Sequence, residues 1–170
     1  NNQTYIVVVN RKLSDERKVK LSQGIQFAFA TGNKIDNGSI SGRIFNSKNC
    51  SAQLWKIQDK IDSLDFYKRI PAYSIDASDS GQYEFKFLSP GNYRLVALDN
   101  SLSGLSIVPK NMLYGLHWES VISLKQKLNQ KNINVYLPNE KSSIRMVQAE
   151  WIEGSWGCIT FSKKLGDDIA

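Results

Sequence analysis

SIDASDSGQYEFKFLSPGNYRLVALD occupies residues 74–99. Its side chains alternate in polarity with a period of two. Tyr83, Phe85 and Phe87 fall on one side of a strand, with Glu84 and Lys86 on the other. Tyr93, Leu95 and Ala97 repeat the pattern, and such alternation marks a half-buried strand. Asp79-Ser80-Gly81 and Ser89-Pro90-Gly91-Asn92 punctuate the runs. Proline presets φ at the second position of a turn, and glycine takes the positive φ that a β-carbon penalises. Asp79 is expected to close its turn by accepting backbone N–H bonds.

The same period extends outward. Residues 4–9 (TYIVVV) and 25–31 (IQFAFAT) read as strands, with Ile25, Phe27 and Phe29 on one face. The polar, basic residues 10–24 lie between them as a connection. Residues 39–45 form the next strand, where Gly42 predicts a bulge or a close neighbour. Residues 52–58 form a strand partly apolar on both faces, residues 59–69 are polar with a short helical turn near 64–68, and residues 72–76 are a short strand. An irregular connection over 100–115 precedes strands at 116–124 and 132–137, and residues 144–152 and 156–161 read as a hairpin. The fold class is therefore all-β, an antiparallel sandwich.

Composition supports a packed core without naming a partner. Hydrophobic residues make up 41% and aromatics 11%, and no apolar run reaches the 18 or so residues of a membrane helix. Direct membrane insertion is not expected. The net charge of +6 arises mostly in residues 1–34, with six Lys/Arg against two Asp/Glu. Asp15 and Glu16 interrupt the basic run, and no stacking aromatics accompany it, so nucleic acid is not an expected partner. Cys50 and Cys158 are far apart in sequence, and a single histidine argues against zinc. Two thiols or one disulfide both remain open.

Each residue that could carry chemistry has a plainer structural role. His117 could serve as a general base, but no G-x-S-x-G or catalytic cysteine motif accompanies it. Asp59, Asp62, Asp65, Asp76, Asp79 and Asp99 do not follow the EF-hand spacing. Trp55, Trp118, Trp151 and Trp156 could stack on sugars or pack in a core. The expected catalytic and metal sets are empty. Asp99, Asn100 and Trp118 are the candidate ligand contacts, and loops 59–69 and 100–115 are the expected binding regions.

Residues 27–137 resemble a pairing found in exported proteins of the Bacteroidetes–Chlorobi type. FAFATG at 27–32 resembles the closing strand of a surface-layer-type Ig-like domain. IDNGSISGRIF at 35–45 resembles the opening of a carboxypeptidase regulatory-like, transthyretin-like sandwich. Asp79, Gly81, Tyr83, Phe85, Leu88, Pro90, Gly91, Tyr93, Leu95, Ala97 and Asp99 follow that sandwich's later signature, with Asp79 and Gly81 one residue closer than usual. The resemblance gives Asp79, Gly81, Tyr83, Phe85, Pro90, Gly91 and Tyr93 turn and core duties. It implies 1–34 as the last strands of one Ig-like unit, 35–138 as the sandwich, and 139–170 as the opening strands of another Ig-like unit. It further implies a non-enzymatic spacer, scaffold or display stalk at the cell surface, from a secreted protein or lipoprotein. Neighbouring Ig-like domains of the same protein or of adjacent chains are the expected partners. The alternative is a carbohydrate- or calcium-binding accessory module of a surface enzyme or uptake system. No cofactor is otherwise expected. Calcium would sit at Asp99-Asn100, where this chain departs from a D-x-N-rich loop with Ser101-Leu102-Ser103. Half sandwiches leave apolar faces exposed. Tyr5, Val7 and Val9 with Phe27 and Phe29, and either Met146, Gln148 and Glu150 or Ile144, Arg145 and Val147 with Ile159 and Phe161, are therefore expected to pack within or between chains.

Overall fold

A computed structural model describes residues 3–22, 24–46, 48–58, 65–109, 112–125, 127–139, 144, 146–152, 154 and 156–164. Asp59, Asp62 and much of the 59–69 loop lie outside the described residues. The chain divides into two compact units, residues 1–139 and 140–170.

The first unit is a two-sheet sandwich with a hairpin against it. Strand β1 (Thr4–Val9) pairs antiparallel with β2 (Ile25–Ala30). In one sheet, β3 (Gly38–Phe45) pairs antiparallel with β6 (Gln82–Leu88). In the other, β4 (Cys50–Ile57) lies between β5 (Tyr73–Asp76) and β7 (Asn92–Asp99), both antiparallel to it. The expected strand at 116–124 is two short pieces, β8 (Tyr114–Leu116) and β9 (Ile122–Ser123), separately paired with β7. The expected strand at 132–137 shrinks to β11 (Val135–Tyr136). Together with β10 (Asn129–Gln130), it runs parallel to β3. Asn132, with φ 61°, interrupts this edge. Gly42 packs its backbone against Ile133, where a Cβ would collide with the carbonyl, so its small size allows the close approach.

The core lies between the sheets. Ile40, Ile44, Tyr83, Phe85 and Val135 from one sheet meet Ala52, Leu54, Tyr93, Leu95 and Ala97 from the other. Full burial of each large apolar side chain contributes about 1.5–3 kcal/mol. The alternation expected of residues 83–87 ends early. Gly38 pairs with Leu88 but Ile40 with Phe85, so β6 carries one extra residue. Phe87 takes φ 61° at this bulge and leaves the inner face to Leu88, which is fully buried. The second sheet is buried on its outer face too. Trp55, Val96 and Leu98 pack there with Ile107 and Phe66, the latter from the 3-10 turn Phe66–Lys68. The Trp55 indole N–H donates to the Arg69 carbonyl at 3.0 Å.

Residues 1–34 belong to the same compact unit as the sandwich. Ile6 and Val8 pack on the main core, which ties the hairpin to it. The Gln26 carboxamide joins the outer edge of β6. It donates to the Glu84 carbonyl at 2.7 Å and accepts from the Lys86 N–H at 3.1 Å.

The second unit is a hairpin, β12 (Met146–Ile152) with β13 (Trp156–Phe161). Ala149 pairs with Ile159 and Trp151 with Gly157, which makes one face apolar. Gln148 opposite Thr160 and Glu150 opposite Cys158 make the other face more polar.

Candidate functional site

A shallow groove of about 630 Å³ opens at one end of the sandwich. Four chain segments converge on it. Arg43, Phe45, Asn46, Lys48 and Asn49 come from the end of β3 and the turn after it, and Asp79 and Ser80 from the turn before β6. Asp99 ends β7, and Asn139 follows β11. The strands bring these residues together because their ends meet at the same rim.

Asn46 organises one wall. It takes φ 71°, a conformation asparagine tolerates better than most residues. Its Nδ2 donates to the Tyr136 hydroxyl at 3.0 Å and to the Leu137 carbonyl at 3.2 Å. Its Oδ1 accepts from Asn139 Nδ2 at 3.1 Å. Tyr136 is the parallel partner of Phe45, so both rings leave the same face of the sheet. Both are exposed, Phe45 at 42% and Tyr136 at 63%. The Arg43 guanidinium lies over the Phe45 ring, 5.1 Å from its centroid, and its Nε donates to the Ser80 carbonyl.

The two carboxylates are each held through Oδ1. Asp99 accepts from the Ser101 N–H at 2.9 Å and its hydroxyl at 2.6 Å, capping the turn Asn100–Leu102. Asp79 pairs with Arg11 at 2.6 Å. The expectation that Asp79 closes its own turn is therefore corrected. Ser78 does so, accepting from the Gln82 N–H through its hydroxyl and from the Gly81 N–H through its carbonyl. The reason is reach: Arg11 also donates to the Ala77 carbonyl at 2.8 Å, which draws Asp79 outward to its second nitrogen.

Of the three expected ligand residues, only Asp99 lines this groove. Asn100 turns inward, with a buried Oδ1 that lacks a hydrogen-bond partner. Trp118 is 83% exposed beside the buried ring of His117, and its indole is not part of the groove wall. Trp55 is 1% exposed and belongs to the core. Trp151 pairs with Gly157 and Trp156 with Ile152, so the two indoles leave opposite faces of their hairpin and form no common platform. No family model, curated protein or solved structure matches the chain.

The other residues singled out in the sequence take the following places. His117 Nδ1 accepts from the Glu119 N–H at 3.2 Å. Among the described residues, no three His, Cys, Asp or Glu side chains gather as metal ligands. Cys50 is a buried thiol and Cys158 an exposed one. Tyr83, Phe85 and Tyr93 are buried core residues. Burial raises the pKa of the Tyr83 and Tyr93 phenols, the latter to about 12. Gly81 has φ 80° as a turn glycine should, whereas Gly91, after the exposed Pro90, does not share positive φ. Instead its missing Cβ leaves room for the Lys56 side chain. Sequence reading passed over Phe45, Asn46, Tyr136 and Asn139. Asn46 next to a strand end and Asn139 after Pro138 were the available signals, and both read simply as turn residues.

Proposed function

We propose that this chain is a non-enzymatic structural and interaction module, serving as spacer, scaffold or display stalk in a larger exported bacterial protein. Its sandwich is read as the carboxypeptidase regulatory-like, transthyretin-like type, with Ig-like neighbours. The outer face of the β1–β2 hairpin carries the reading. Tyr5 opposes Phe29, Val7 opposes Phe27 and Val9 opposes Ile25. All six are apolar, five are exposed, and the Tyr5 and Phe29 rings stack at 5.3 Å. A contiguous apolar patch on a finished sandwich fits a protein neighbour better than it fits water. The proposed neighbour is a β-sheet of an Ig-like domain, in the same protein or an adjacent chain.

Sedimentation analysis across a concentration series tests the reading. The expected outcome is self-association that Val7→Lys and Phe27→Lys abolish while the folded spectrum is kept. Monomeric behaviour of the unsubstituted chain, without dye binding at this face, would overturn it.

A second reading, a carbohydrate-binding accessory module, is favoured by the end groove. Calcium is less well supported there, because Oδ1 of each groove carboxylate is already engaged by Arg11 or Ser101.

A further inference from the structure

We infer that the end groove is a binding site for a neutral saccharide, with Phe45 in its wall and Tyr136, bonded to the groove residue Asn46, as the exposed stacking ring beside it. The inference takes up the second reading above and is independent of the hairpin face. Sugar rings present apolar C–H faces that pack on aromatic rings, while their hydroxyls need donors and acceptors at the rim. Tyr136 supplies an exposed ring next to Phe45, one face of which is taken by the Arg43 guanidinium. The rim supplies what hydroxyls require. Asn46 and Asn139 form a linked pair of carboxamides. Asp79 and Asp99 each keep one carboxylate oxygen, Oδ2, without a described partner. Carboxamides both donate and accept, and carboxylates only accept, so the set suits vicinal hydroxyl groups.

Charges of both signs favour a neutral ligand. Arg43 and Lys48 line the groove together with Asp79 and Asp99, and Arg11 pairs with Asp79. An anionic ligand would meet two carboxylates, and a cationic one two basic groups.

Pre-organisation supports recognition. Asn46 holds the Tyr136 hydroxyl and the Leu137 carbonyl, which fixes the ring before any ligand arrives. A shallow groove buries only part of a saccharide, so binding should be weak, with Kd of roughly 1 mM or tighter for the best ligand.

The test is a titration of the isotope-labelled chain with neutral linear hexasaccharides: β-1,4-glucan, β-1,3-glucan, β-1,4-xylan, α-mannan and chitin. Amide shifts are followed by NMR. At least one sugar is expected to move the amides of residues 43–49, 99 and 136–139 in a saturable manner. Tyr136→Ala should weaken that sugar by about tenfold or more. Asn139→Ala, an exposed side chain whose loss spares the core, should weaken it by about threefold. If no sugar moves these amides at concentrations of about 10 mM, or the shifts map elsewhere, the site is refuted. Saturable shifts unaffected by both variants would refute it equally. The sedimentation experiment addresses a different face, so either inference can fail alone.

Discussion

The Tyr83 hydroxyl donates to the main-chain carbonyl of Ile133, fifty positions along the chain. Both groups are buried, and the bond joins β6 to the irregular edge between β10 and β11 across the breadth of β3. The same Ile133 backbone lies against Gly42. Ile133 thus anchors the parallel edge segment through its carbonyl, alongside its own N–H bond to the Ser41 carbonyl.

Tyr83→Phe keeps the ring and removes the donor, leaving the Ile133 carbonyl buried and unsatisfied. The expected loss is about 1–3 kcal/mol in urea unfolding, with an unchanged m-value. Hydrogen exchange at residues 129–136 should accelerate more than in β4 or β7.

Gly42→Ala places a methyl group on the Ile133 carbonyl, backbone against backbone, with no flexible side chain to yield. It should cost about 2–4 kcal/mol. Gly104→Ala is the control. Gly104 has φ 83° and open space around its absent Cβ, so only conformational strain of about 1 kcal/mol is expected. Thermal melts of the two variants should separate clearly.

Arg11 and Asp79 should contribute unequally despite their short contact. The Asp79 side chain is 87% exposed and that of Arg11 15%. Exposed ion pairs add little, so Asp79→Ala should cost under about 0.5 kcal/mol. Arg11→Ala also loses bonds to the Ala77 and Leu21 carbonyls, and should cost about 1–3 kcal/mol. Amide exchange in β1 and β2 should rise in the second variant only.

Alkaline pH should weaken the fold through its buried phenols. Burial pushes Tyr93 up to about 12 from its ordinary 10.0, with its bond to Ser89 opposing by less. The folded state therefore holds the proton more tightly than the unfolded chain. Stability from this group is complete below pH 10 and falls as pH rises towards 12. Tyr83 shifts in the same direction for the same reason. Tyr93→Phe should flatten the decline of denaturation midpoint over that interval.

Much of the sandwich was legible because its signals are local. Side-chain alternation places Tyr83, Phe85, Tyr93 and Leu95 on buried faces whatever their partners are. Phe87 broke the pattern because a bulge depends on register against β3, which no local window contains. The segment over 116–124 misled for a related reason: its apolar residues serve two separate pairings with β7. The groove was largely hidden. Asp99 was singled out through the D-x-N-rich loop that the resemblance puts there, while Asn46 and Tyr136 lie ninety positions apart and meet only through the parallel pairing of β3 with β11.

By itself the sequence determined the all-β class, the turn at Gly81 and the aromatic core, because these follow from steric limits on φ and from a two-residue period. Tertiary structure alone decided the parallel edge on β3, the Arg11 contacts with Ala77 and Asp79, and the convergence of Phe45, Asn46, Tyr136 and Asn139. Those features arise from contacts between distant segments, and no local preference encodes such contacts.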